Sequence, residues 1–233
     1  MSGQLLSGQF PVYVTGSTEA KFAVIVIQEA FGVNDHIRNV ADRFAGAGYF
    51  AVAPELFHRS GSPEVPYDDF PAAMKHLGGL NREGLTNDLN ATTDFLTTQG
   101  YHSNNVAVVG YCMGGSVSFY AATLGTVAAA ASFYGGGVEA GRFGLPSLLE
   151  LAPSLKCPWL GLYGDLDTGI PIEQVEALRR ATAQLAVATE VVRYPDAQHG
   201  FNCDGRAAVY NEEASKDATR RTLEFFAAHL VAK

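Results

Sequence analysis

The sequence predicts an α/β domain with a mainly parallel central sheet and helices on both faces. Three observations point there. Continuous β-branched runs such as "FAVIVI" (22–27) read as strands buried on both faces, as in a parallel sheet. These runs alternate along the chain with segments whose apolar residues recur at i, i+3, i+4 and i+7. The 233 residues, 47% hydrophobic and 17% charged, are a core-forming composition that reads as one domain over 1–233.

The elements follow in order. "PVYVTG" (11–16) alternates like a strand. "FAVIVIQEAFG" (22–32) is a buried strand that runs into polar residues and a glycine. Ile37, Val40, Ala41 and Phe44 mark one face of a helix, closed by Gly46 and Gly48. "YFAVAPELF" (49–57) is the next strand. The segment 58–81 carries Pro63, Pro66, Pro71, Gly61, Gly78 and Gly79 and predicts an irregular excursion, a cap or substrate loop. Leu85, Leu89, Thr92 and Leu96 mark a helix ending at Gly100. "NVAVVGYC" (105–112) is a strand, and Val117, Tyr120, Ala121 and Leu124 mark the helix after it. "VAAAASFYGGG" (127–137), "CPWLGLYGD" (157–165) and "TEVVRYP" (189–195) are further strands. Val175, Leu178, Thr182 and Leu185 form one helix face, and Leu223, Phe226, Ala227 and Leu230 the buried stripe of the closing helix.

Composition excludes several function classes. Sixteen Lys and Arg against twenty-four Asp and Glu leave a net charge of −8, which repels nucleic acid and anionic membranes. No apolar run approaches a membrane span, and "MSGQLLSGQF" lacks the basic and apolar regions of a secretory signal. Three irregularly spaced cysteines argue for a reducing cytoplasm rather than a disulfide framework. The six histidines (36, 58, 76, 102, 199, 229) show no metal-ligand spacing, so neither metal nor organic cofactor is expected. The expected partner is a small molecule.

In open parallel sheets, ligands bind beyond the carboxyl ends of the strands. "VGYCMGGSVS" (109–118) puts Cys112 there, between Gly110 and Gly114. G-x-nucleophile-x-G at a strand-to-helix corner is the nucleophile elbow of α/β-hydrolases. Taken alone, the match leaves a nucleophile and a buried thiol equally open. An elbow nucleophile needs a base and an orienting carboxylate, in the chain order nucleophile, acid, histidine. His199 follows the last strand in "YPDAQHGF", and "YGDLDTGIP" offers Asp165 and Asp167 after the strand before it. Spacing leans to Asp167 and leaves Asp165 open as a loop-capping group.

On these stretches the chain resembles the dienelactone hydrolase (carboxymethylenebutenolidase) family, which has the α/β-hydrolase fold. The similarity runs through "VIQEAFGVN" (26–34), "GYFAVAPELFHR" (48–59), "VAVVGYCMGGSVSFYAA" (106–122), "YGDLDTGIP" (163–171) and "YPDAQHGFNC" (194–203). It implies Cys112 as nucleophile, His199 as base and Asp167 as the carboxylate that orients it. It also implies that Glu29 of "QEAFG" helps to activate the cysteine, and that the backbone amides of Ala30 and Met113 form an oxyanion hole. The implied substrate is a lactone or activated ester of the 4-carboxymethylenebut-2-en-4-olide type, cleaved through a thioester by a monomer. The family's arginine after the histidine motif is absent: "HGFNCDGR" has Cys203 at about that place. Arg206 is then either a substitute or a surface residue. Tyr134, Phe201 and Arg206 are candidate substrate contacts, with a core role equally open for Tyr134.

Cysteine itself narrows the substrate. A thiolate is readily expelled from a tetrahedral intermediate, so it works best against a good leaving group such as an enolate. A thiol-dependent carboxylesterase or thioesterase of broad specificity is the alternative on the same fold. A non-catalytic binding protein and a redox-sensing thiol protein are readings from other classes.

Overall fold

In a computed structural model of the chain, residues 4–6 and 10–232 are described. Most of the stretch read as lacking a secretory signal lies outside them. The apolar runs form one eight-stranded sheet: β1 (Gln4–Leu6), β2 (Phe10–Thr15), β3 (Phe22–Ile27), β4 (Tyr49–Pro54), β5 (Val106–Tyr111), β6 (Ala129–Phe133), β7 (Trp159–Gly164) and β8 (Thr189–Tyr194). The spatial order is β1-β2-β4-β3-β5-β6-β7-β8. The β1/β2 and β2/β4 pairs are antiparallel and all other neighbours are parallel. Every residue of β4 to β7 is buried, because helices cover both faces of the parallel region. β2 and β8, towards the flanks, keep partly exposed positions.

The helices are α1 (Asp35–Gly46), α2 (Phe70–Leu77), α3 (Arg82–Thr98), α4 (Met113–Leu124), α5 (Leu148–Leu151), α6 (Ile172–Thr182) and α7 (Glu212–His229). Side chains of Asn34, Asp69, Asn81 and Asn211 accept the N–H three residues on and start α1, α2, α3 and α7. β3 to β4 runs one way along the sheet, and β4 to β5 runs back past β3. With right-handed crossovers, that reversal puts α1 on one face and α3 and α4 on the other. Ring contact between Phe44 and Phe226 joins α7 to α1, while Thr86 and Tyr120 bond α3 to α4 at 2.7 Å. α4 is buried all round, from Met113 to Thr123. The order reverses between β3 and β5, and Glu29 and Cys112 lie just past the ends of these strands, where open parallel sheets bind ligands.

Three details depart from the expectations above. The excursion 58–81 holds a short 3-10 turn (His58–Ser60) and the helix α2, so it is only partly irregular. Asp69 caps α2, and Pro71 sits in its first turn, where proline lacks only an N–H that would be unpaired anyway. Leu185 lies beyond the end of α6, and Ala227 is exposed. The buried face of α7 is Ala214, Ser215, Ala218, Thr222 and Phe226, because the helix begins eleven residues before the apolar cluster that revealed it. β1 was not expected: three residues are too few to show a period.

The elbow depends on bare glycine. A Cβ on Gly110 would lie 1.8 Å from the carbonyl oxygen of Gly114, and one on Gly114 would lie 2.5 Å from the carbonyl oxygen of Gln28. These are backbone atoms of α4 and of the chain just past β3, so neither can yield. Gly110→Ala is expected to lower stability by about 3 kcal/mol, read as a fall in the urea midpoint, or to prevent soluble expression. A midpoint unchanged from the parent would refute this account of the turn.

Candidate active site

Two residues just past strand ends have left-handed backbone: Cys112 after β5 (φ 56) and Tyr134 after β6 (φ 41). Neither is glycine, so each costs about 1–3 kcal/mol of strain. The sheet holds them there. Cys112 N–H donates to Phe133 O at 3.0 Å, and Tyr134 N–H donates to Leu162 O at 2.8 Å. Each residue thus extends the ladder one step past its strand before the chain turns away. Cys112 is the residue before α4 and stands half-buried at its N-terminus, where the helix dipole favours negative charge.

Around it the loops after β7 and β8 deliver Asp167 and His199. His199 Nδ1 donates to Asp167 Oδ2 at 2.6 Å, and the other carboxylate oxygen accepts the Gly169 N–H at 2.8 Å. Asp167 is buried, whereas the His199 side chain keeps 37% exposure. Burial works against a proton on His199. The nearby Cys112 sulfur and the Asp167 carboxylate, which accepts from the ring, outweigh it and raise the imidazole pKa well above its usual value. Asp165, the other carboxylate of this loop, is paired with Arg193 through two bonds of 2.7 and 2.8 Å. The chain therefore brings Cys112, His199 and Asp167 together and ties Asp165 elsewhere.

Glu29 follows β3 and is buried. Tyr134 donates its hydroxyl to Glu29 Oε1 at 3.1 Å, while Oε2 has no hydrogen-bond partner. The Tyr134 ring lies 5.0 Å from His199, so tyrosine connects the carboxylate to the histidine. Burial, then the Glu29 carboxylate, pushes the Tyr134 hydroxyl pKa far up and keeps it a donor. The amides of Ala30 and Met113 donate in none of the turn and loop backbone bonds of the described residues.

The candidate substrate contacts change. Phe201 is fully buried against Tyr134, Phe133 and Tyr194 and so belongs to the core. Tyr134 is fully buried too, and its hydroxyl is spent on Glu29. Arg206 has no ion pair among the described residues. Its guanidinium lies 5.6 Å from the Phe31 ring centre and 5.5 Å from that of Tyr67.

Sequence reasoning missed His36, Tyr67 and Asp204. His36 opens α1 yet is buried, and its Nδ1 bonds Asp204 Oδ1 at 3.0 Å. Glu29, His36 and Cys203 bring one ligand-type atom each to within 4.8 Å of one another. This donor set does not fit a metal. Burial raises the Cys203 thiol to about 11, and the thiol is spent on Tyr67 at 3.2 Å, which leaves fewer free donors than a zinc site uses. Among the described residues no helix is long and apolar enough to cross a membrane.

Comparison with known proteins agrees on the kind of enzyme. Residues 10–230 match the dienelactone hydrolase family. A protein of Salmonella typhimurium named "Putative carboxymethylenebutenolidase" is 38% identical over 207 residues, 88% of this chain and 76% of that one. One of the same name from Synechocystis sp. is 35% identical over 228 residues, 96% of this chain and 88% of that one. The crystal structure of a "Putative Dienelactone Hydrolase" from Klebsiella pneumoniae superposes with a TM-score of 0.85 at 35% identity, covering 96% of this chain and 95% of that one. With the α/β-hydrolase fold, the open elbow and this similarity over nearly its whole length, the chain belongs to the dienelactone hydrolase family and is a carboxylic ester hydrolase acting on a lactone or ester.

Proposed function

We propose that this hydrolase opens enol-lactones of the 4-carboxymethylenebut-2-en-4-olide type through a Cys112–His199–Asp167 triad and a thioester intermediate. The observation that carries it is the 2.6 Å contact of Asp167 with His199, beside a cysteine at a strained elbow. Cys112 attacks the lactone carbonyl as thiolate, with His199 holding the thiol proton. The oxyanion sits on the amides of Ala30 and Met113. The intermediate collapses by breaking the ring C–O bond, and the enolate leaves and takes a proton. His199, turned by Asp167, then draws a proton from water, which attacks the thioester and frees the acid and Cys112. Glu29 tunes the charge around this exchange, coupled through Tyr134. One chain supplies every group. A reducing compartment, the cytoplasm, suits its three free cysteines.

A broad thiol esterase is the second reading, favoured by the placement of Arg206 over two rings rather than towards a substrate carboxylate. A panel of dienelactone, p-nitrophenyl acetate and an acyl thioester separates the two. The enol-lactone is expected to exceed the others in kcat/KM by about 100-fold or more. Equal values across the panel would favour the broad esterase.

A further inference from the structure

The buried carboxylate of Glu29 has one oxygen without a partner, and an unpaired buried charge is unfavourable. Beside it His36, also buried, has its own unpartnered atom, Nε2. The two side chains approach within 4.8 Å through ligand-type atoms. The far side of the ring is held: Nδ1 meets Asp204 at 3.0 Å, and the second oxygen of Asp204 lies 3.5 Å from Arg43. Asp204 is 45% exposed and borders a cleft of about 330 Å³ that also touches His36. Carboxylate, imidazole, carboxylate and guanidinium thus alternate from the active site to the surface.

We propose that His36, held by Asp204, is the proton partner of Glu29, a second histidine–aspartate pair that orients the buried carboxylate and exchanges its proton with solvent. In neutral His36 the proton on Nδ1 is donated to Asp204, so Nε2 carries the lone pair. When Glu29 bears a proton on Oε2, one water between the two groups relays it: the O–H bond at Oε2 breaks as its proton passes to the water, and the water gives a proton to Nε2, where an N–H bond forms. The imidazolium then lies between two carboxylates, and its Nδ1 proton leaves through the exposed side at Asp204. The other groups facing this pair do not replace it. Tyr134 donates to Oε1, and Tyr111 meets the His36 ring at 6.3 Å between ring centres. The Cys203 thiol is committed to the Tyr67 hydroxyl, and Arg206 is stacked on Phe31 and Tyr67. His36 is therefore a positioning residue that acts through Glu29.

This inference rests on the reading of Cys112 and Glu29 above, and its test keeps the two apart. Hydrolysis of p-nitrophenyl acetate is measured for the parent, Cys112→Ala, His36→Ala, Glu29→Gln, the His36→Ala/Glu29→Gln double variant and Asp204→Asn, with circular dichroism as the check on folding. His36→Ala is expected to lower kcat/KM by about 10- to 100-fold, and free imidazole to restore about five-fold of it through the cleft. The double variant should lose no more than Glu29→Gln alone, because the two act as one unit. Asp204→Asn, at the exposed end, should lose activity in the same direction and serves if His36→Ala does not fold. Parent-like activity of His36→Ala, a loss that imidazole does not restore, or losses that add in the double variant overturn the proton partner. An active Cys112→Ala enzyme instead overturns the triad reading, and the coupling between His36 and Glu29 is still read from the double variant.

Discussion

Replacing Cys112 by alanine is expected to abolish turnover of dienelactone and p-nitrophenyl acetate, with kcat/KM falling by about 10⁴-fold or more. Water, the only nucleophile left, would have to attack without a thioester to divide the reaction. The fold should survive, because Cys112 is half-buried and alanine tolerates its backbone no worse. Mass spectrometry of the parent after a substrate pulse should show an acyl adduct on the peptide with Cys112, absent from the variant. Undiminished turnover by Cys112→Ala would remove the thiol from the mechanism. Two companions sharpen the result. Cys112→Ser should fold but lose activity sharply, since a hydroxyl needs stronger base assistance than a thiol. Cys112→Gly should be as inactive as alanine yet more stable than it by about 1 kcal/mol, because glycine relieves the strain at φ 56.

Asp167→Asn should reduce kcat by about 10³- to 10⁴-fold with little change in KM. Oδ1 would still accept the Gly169 N–H, so the amide nitrogen would face His199 Nδ1. The imidazole would then carry its proton on Nε2, the wrong nitrogen to accept one from thiol or water. A stability readout accompanies the rate. The pKa of His199 is raised in the folded enzyme, with Asp167 among the causes. Its charged form therefore adds stability that is full below the unfolded pKa of about 6.5 and fades as pH rises through the raised folded value. Removing Asp167 lowers that folded value, so urea midpoints of the variant should change less between pH 6 and pH 9 than those of the parent. A variant with parent-like kcat would show that Asp167 is only a loop-forming residue.

The parallel architecture and the elbow were legible in the chain because both rest on local pattern. Strands β3 to β7 are buried on both faces, so they read as unbroken apolar runs without the tertiary structure. G-x-C-x-G is readable because the backbone of α4 approaches so closely that only glycine fits at 110 and 114. The order Cys112, Asp167, His199 could be read because each follows a strand and strand ends share one edge of a parallel sheet. What pattern could not supply was any pairing across the sheet. Asp165 and Asp167 are two residues apart and point to different partners, Arg193 and His199, because a tight turn separates their side chains. Phe201 was a candidate substrate contact and packing put it inside the core; for Tyr134 the core role, left open by the sequence, is the one the packing shows. His36 and Asp204 are 168 positions apart and meet only because the chain after β8 folds back against the start of α1. The sequence by itself thus determined the sheet, the glycine corner at Cys112 and the chain order of Cys112, Asp167 and His199, since burial and close approach act residue by residue. The tertiary structure alone decided that Asp165 pairs with Arg193, that Asp204 holds His36 and that Tyr134 bonds Glu29, since these depend on how separate loops meet over the strand ends.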